Sequence, residues 1–203
     1  MNLPNKLTVL RIILTPIFLA CLLIPFPHHM LVAAVIFIGA SITDAIDGNY
    51  ARKHNMVTDF GKFLDPLADK MLTTTAFLGF IAKDIGSGVV IIAFIVLFRE
   101  FLISSLRLTA VSSGGTVIAA NIWGKLKTIT QMVAIITAMV FEYFKDLDNS
   151  YFHLFSNPIN SASPLHIVLD IIVDILLWAS AILAVVSGVI YLIQNKKCID
   201  TSK

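Results

Sequence analysis

Residues 30–70 read MLVAAVIFIGASITDAIDGNYARKHNMVTDFGKFLDPLADK: an apolar run that turns acidic near its end, a short basic connection, then two more aspartates leading into a second apolar run. The stretch from Met30 to Arg52 is long enough for one crossing of a hydrocarbon core, which takes ~20 helical residues. Five further stretches of the same kind can be drawn: Leu7 to Ile24, Pro66 to Ala82, Ser87 to Val111, Trp123 to Phe144 and Pro164 to Gln194. In lipid, only α-helices satisfy their own backbone groups without closing a barrel, and these runs are continuous rather than alternating in ~10-residue segments. The pattern predicts an all-α integral membrane protein, a six-transmembrane-helix bundle. The last run exceeds one crossing, so a tilt, a kink near Gly188 or a short interfacial helix before Asp170 is expected there.

The composition agrees, with 57% of the 203 residues hydrophobic and 14% charged, so water is not the main solvent. We read residues 1–203 as a single membrane domain with its core catalytic motif at 44–69. A formal net charge of +2, with basic residues spread among loops, argues against nucleic acid and leaves membrane lipids as the natural partners. Cys21 lies in the first apolar run and Cys198 in the polar tail, so one disulfide would join them only by bending the tail into the bilayer. Lys6 and Arg11 before Ile12 to Ile24 imitate a signal peptide. Arg11 and Pro16 interrupt the run and no small-x-small cleavage pattern follows near Pro25 to His29, so it is expected to stay as the first helix.

If both termini share a side, Arg52, Lys53, Lys62, Arg107, Lys125, Lys127, Lys196 and Lys197 all fall on that side. The opposite loops offer Lys83 beside Asp84, and Lys145 beside Asp146 and Asp148. The bias places both termini and the acidic connection in the cytoplasm of a multi-pass protein of the cell (cytoplasmic) membrane. The five histidines, His28, His29, His54, His153 and His166, show no ligand-like cluster and are expected at the interfaces.

Asp44, Asp47 and Ala51 follow i, i+3, i+7 spacing, while Gly61, Asp65 and Asp69 follow i, i+4, i+8, so each set lies on one helical face. The two acidic faces are expected to meet across one short turn. Any single acid would read as a solvated helix end paired with Lys62 or Lys70. Four of them at a membrane boundary repel one another unless cations neutralise them, and intramembrane acids are functional by default. All-oxygen ligands, with no His or Cys, select Mg²⁺, Mn²⁺ or Ca²⁺ over zinc. Gly48 and Ala51 clear the second helix and Gly61 the third, leaving room for a bulky ligand. Arg52 offers a donor fork suited to a phosphate or a cytosine edge, and Thr58 adds a hydroxyl.

Written as a pattern, the segment is D-x2-D-G-x2-A-R-x8-G-x3-D-x3-D, which resembles the signature of the CDP-alcohol phosphotransferases at every specified position. The resemblance implies six transmembrane helices, a homodimer and two divalent cations, Mg²⁺ or Mn²⁺, on Asp44, Asp47, Asp65 and Asp69. It also implies Asp69 as general base, and Gly48, Arg52 and Thr58 on a CDP-activated lipid, with Ala51 and Gly61 beside it. NLPNKLTVLR, FGKFLDPLADK, REFLISSLR and GKLKT further resemble the branch that transfers the phosphatidyl group of CDP-diacylglycerol to glycerol 3-phosphate. Arg107, Lys125 and Lys127 supply cations on the expected cytoplasmic side for that acceptor's phosphate, although ordinary headgroup anchoring would also use them. Arg99 beside Glu100 reads as a structural charge pair. Sister enzymes take inositol phosphate, serine or phosphatidylglycerol as acceptor. A cation transporter would instead carry midplane acids within repeated halves, and this chain has one acidic cluster at one face and no repeat.

Overall fold

Each apolar run becomes one helix. The computed structural model describes residues 3–53, 59–112, 122–148 and 164–194. They form α1 (Leu3–Leu23), α2 (His29–Lys53), α3 (Asp59–Lys83), α4 (Val89–Ser112), α5 (Ile122–Leu147) and α6 (Pro164–Gln194). Among the described residues, α1, α4, α5 and α6 are long and apolar enough to span a membrane by themselves. In α2 the described side chains from His29 to Asp44 form a shorter apolar stretch. The protein is an all-α, multi-pass integral membrane protein.

Two boundaries differ from the sequence reading. α3 begins at Asp59 and carries Pro66 as its eighth residue, whereas Pro66 was expected to open the helix. An apolar-run criterion finds only the part of a helix that needs lipid, and proline favours first turns, so the polar turns before it escape notice. α6 is one uninterrupted helix of 31 residues, with no separate interfacial helix before Asp170. At 1.5 Å per residue it is ~46 Å long, enough to cross the hydrocarbon and reach into both headgroup layers.

The helices close into a ring in which each packs chiefly against two others, in the order α1, α2, α5, α6, α4, α3 and back to α1. Gly79 of α3 permits one of these approaches, since a Cβ there would run into the Leu22 side chain of α1. The ring's interior is divided along its axis. At one end the buried side chains are apolar: Phe18 and Leu22 of α1, Phe37 of α2, Phe77 and Phe80 of α3, Ile92 and Val96 of α4, Ile135 and Met139 of α5, and Leu177 of α6. Phe18 and Phe37 meet with ring centroids 5.5 Å apart. Towards the other end the buried or half-buried positions turn polar on all six helices. They are Asn5, Thr8, Arg11 and Thr15 on α1, Ser41, Thr43 and Asp44 on α2, and Lys70 and Thr73 on α3. On α4 to α6 they are Arg99, Glu100 and Ser104, then Lys127 and Gln131, then Ser187. The division is not complete: Ala68 and Ile103 are buried at the polar end, Asp148 is buried at the apolar end, and Ser180 satisfies its hydroxyl on the Leu177 carbonyl at 2.7 Å.

The apolar end is fastened by its loops. Ser87 N donates to Asp174 Oδ1 at 2.7 Å, Trp178 Nε1 donates to Ser87 O at 3.1 Å, and Lys145 Nζ reaches Asp170 Oδ1 at 2.6 Å. His28, His29 and His166 also sit at this end, as interface residence requires, beside Tyr143, Asp146 and Asp148 respectively.

Candidate active site

The polar end is where α2 finishes and α3 starts, so it is the end that carries the aspartate motif. Asp44 and Asp47 lie in the last turns of α2, and Asp65 and Asp69 in the first turns of α3. Continuous helix through both segments realises the i, i+3 and i, i+4 register, and both helices pack against α1. Of the four acids only the Asp44 side chain is described. Those of Asp47, Arg52, Asp65 and Asp69, with Gly48, Ala51 and Gly61, lie outside the described residues, as do Thr58, His54, His153 and Cys198 entirely. Among the described residues no three His, Cys, Asp or Glu side chains converge as metal ligands.

Asp44 has a partner that the sequence reading passed over. Arg11 of α1, 1% exposed, forms an ion pair through Nη1 with Asp44 Oδ1, while Asp44 itself stays 43% exposed. The sequence did hold a signal: Asn5, Thr8, Arg11 and Thr15 are polar at i, i+3, i+6 and i+10 in a helix whose one other polar residue is the exposed Lys6, and all four are buried. The open face of Asp44 at the polar end suits a carboxylate ligand of a hard divalent cation.

The three cations expected on the acceptor's phosphate have different surroundings. Arg107 is exposed, with its guanidinium carbon 5.6 Å from the centroid of the Tyr191 ring. Lys125 is exposed. Lys127 is buried, its Nζ 2.5 Å from Glu100 Oε1, and Arg99 Nη1 donates to the same oxygen at 3.1 Å. Arg99 and Glu100 are therefore paired as expected, with Lys127 as a third member. Gly188 of α6 leaves room for Arg99, since a Cβ there would stand 3.2 Å from its Cγ. Lys70 Nζ donates to Ser104 Oγ, tying α3 to α4 beside this cluster.

This triad sets a stability expectation. Lys127→Met leaves the half-buried Glu100 carboxylate with Arg99 and, less directly, Lys70, and breaking a buried pair from one side costs about 3–5 kcal/mol. With Arg99 still in place, the loss in detergent should lie near the lower figure, and adding Glu100→Gln should recover most of it. Thermal unfolding of the single and double variants checks this, and equal melting temperatures would refute the coupling.

A family model described as CDP-alcohol phosphatidyltransferase matches residues 1–186. The chain is 38% identical to a Bacillus subtilis protein named CDP-diacylglycerol–glycerol-3-phosphate 3-phosphatidyltransferase, over 99% of this chain and 98% of that one. A Rickettsia bellii protein of the same name is 35% identical over 97% of this chain and 96% of its own length. A Mycobacterium tuberculosis protein named probable phosphatidylglycerophosphate synthase is 36% identical over 94% of this chain and 79% of its own.

Proposed function

The chain belongs to the CDP-alcohol phosphatidyltransferase family, and from that membership we propose that it transfers the phosphatidyl group of CDP-diacylglycerol to glycerol 3-phosphate, giving phosphatidylglycerophosphate and CMP. The carrying observation is the full-length likeness to relatives whose names state that reaction. The divided interior supports it: a polar end can admit a soluble alcohol, and the apolar end seals the bundle behind it.

Members of the family generally use divalent metal ions. Two of them, Mg²⁺ or Mn²⁺ on Asp44, Asp47, Asp65 and Asp69, would supply charge neutralisation at the pyrophosphate. Gly48, Ala51 and Gly61 leave space beside the acids for the CDP-lipid, Arg52 holds a phosphate or the cytosine edge, and Thr58 adds a hydrogen bond. Asp69 takes the proton of the acceptor's primary hydroxyl as its oxygen bonds to the lipid-linked phosphorus. The bond from that phosphorus to CMP breaks in line, so no covalent enzyme intermediate forms. Arg107 and Lys125 bind the acceptor's phosphate from exposed positions, and Lys127 contributes from its buried pair with Glu100. The protein works as a homodimer in the cell membrane, with both termini and the active site on the cytoplasmic side, because the motif end carries the excess of Lys and Arg.

The test is CMP release by purified protein from CDP-diacylglycerol across a panel of glycerol 3-phosphate, inositol phosphate, serine and phosphatidylglycerol. Glycerol 3-phosphate alone should support turnover; any other preferred acceptor overturns the assignment. In the same assay Arg107→Ala or Lys125→Ala should raise KM for glycerol 3-phosphate at least ~10-fold and leave KM for CDP-diacylglycerol nearly unchanged, as lost acceptor binding requires. Equal effects on both substrates would reassign these cations to anchoring.

A further inference from the structure

A buried arginine in a membrane helix needs a reason, because an apolar residue at that position would be less costly to place there. Packing is not the reason here, since α1 and α2 are already joined beyond it through Phe18 and Phe37. Nor is Arg11 an anchor at the headgroups, as it is 1% exposed and points into the ring. One partner is Asp44, the first acid of the motif.

We propose that Arg11 is a positioning residue for Asp44: its guanidinium fixes one carboxylate oxygen from inside the ring and so presents the other to a divalent cation. The inference rests on the metal-dependent reading above and deepens it. The asymmetry of the pair carries the argument. The cation is the enclosed member and the acid the open one, so the carboxylate is held from the interior while its accessible side remains at the polar end of the bundle. The contact is a single one, Nη1 to Oδ1, and the fixed plane of the guanidinium limits where the carboxylate can sit more than a point charge would. Thr15, one turn along on the same face, keeps its own hydroxyl on the Arg11 carbonyl at 2.9 Å. α1 packs against both α2 and α3, so a group on its buried face is referenced to both halves of the motif at once. Groups that orient a metal ligand in this way typically change metal affinity or activity by 10–100-fold when removed.

The experiment measures Mn²⁺ binding to the purified full chain without substrates, through the electron paramagnetic resonance signal of free Mn²⁺, in wild type, Arg11→Lys, Arg11→Gln and Asp44→Asn. Arg11→Gln should weaken binding by ~10–100-fold, and Arg11→Lys, which keeps the charge and loses the fork, should fall between it and wild type. At saturating Mn²⁺, KM for glycerol 3-phosphate should be unchanged in Arg11→Lys, which a general loss of fold would not allow. If Arg11→Gln fails to fold, Arg11→Lys decides alone. Wild-type or tighter Mn²⁺ binding in the Arg11 variants overturns the inference, because the arginine would then be a structural tie or a competitor for the carboxylate. Wild-type binding in Asp44→Asn overturns the metal reading itself, so the two failures are distinguishable.

Discussion

Asp44→Asn, Asp47→Asn and Asp65→Asn should each lower CMP release by ~10²-fold or more at limiting Mn²⁺ while the protein still inserts as a helical bundle. An amide keeps the shape of the side chain and one oxygen donor but removes the charge that a divalent cation needs. Loss of a group that merely orients a ligand costs 10–100-fold, so loss of a ligand's own charge should cost at least as much. Titrating activity against Mn²⁺ at fixed CDP-diacylglycerol should move the half-activating concentration upwards for all three. Asp44→Asn should show one further effect, a lower melting temperature, because the enclosed Arg11 loses the carboxylate that balances it. Wild-type activity at low Mn²⁺ in any one variant removes that residue from the metal site. An unchanged melting temperature in Asp44→Asn would show instead that the pair contributes nothing to stability.

The helices were legible because a membrane imposes a length and a polarity that a run of letters displays directly. Met30 to Arg52 became His29–Lys53, and Trp123 to Phe144 became Ile122–Leu147. The order of helices around the ring was not legible, since nothing in a lipid-soluble run states which neighbour it prefers. The apolar run opened only at Pro66 because it tracks lipid demand, although the spacing of Gly61, Asp65 and Asp69 already implied helix before it, and α3 does continue through that polar sequence. The spacing of the motif was readable in the sequence, whereas Arg11 was noted there only as an interruption of the first run and not as a partner of Asp44.

Lys125 and Lys127 show the same limit at the scale of one turn. As loop cations two residues apart they look equivalent, and they were given one role. In α5, residues two apart do not share a face, so Lys125 is exposed and Lys127 is directed inward to Glu100. Periodicity carried through the polar end of the helix would have separated them.

Asp69 should fail differently from its three companions. A residue assigned both to hold metal and to accept a proton has two roles to lose, and Asp69→Asn leaves Asp44, Asp47 and Asp65 to retain at least one cation. Binding of CDP-diacylglycerol should therefore largely survive, while single-turnover CMP release falls by ~10²–10⁴-fold, the usual cost of losing a general base, or further if metal placement also suffers. Binding and single-turnover release are to be measured on the same preparation with Mn²⁺ present. Raising the pH should restore part of the rate, because more of the acceptor alkoxide then forms without help from the protein; a metal ligand with no proton role gives no such recovery. Lost lipid binding with no separate chemical defect would make Asp69 a ligand only, and near-normal turnover would remove it from the mechanism.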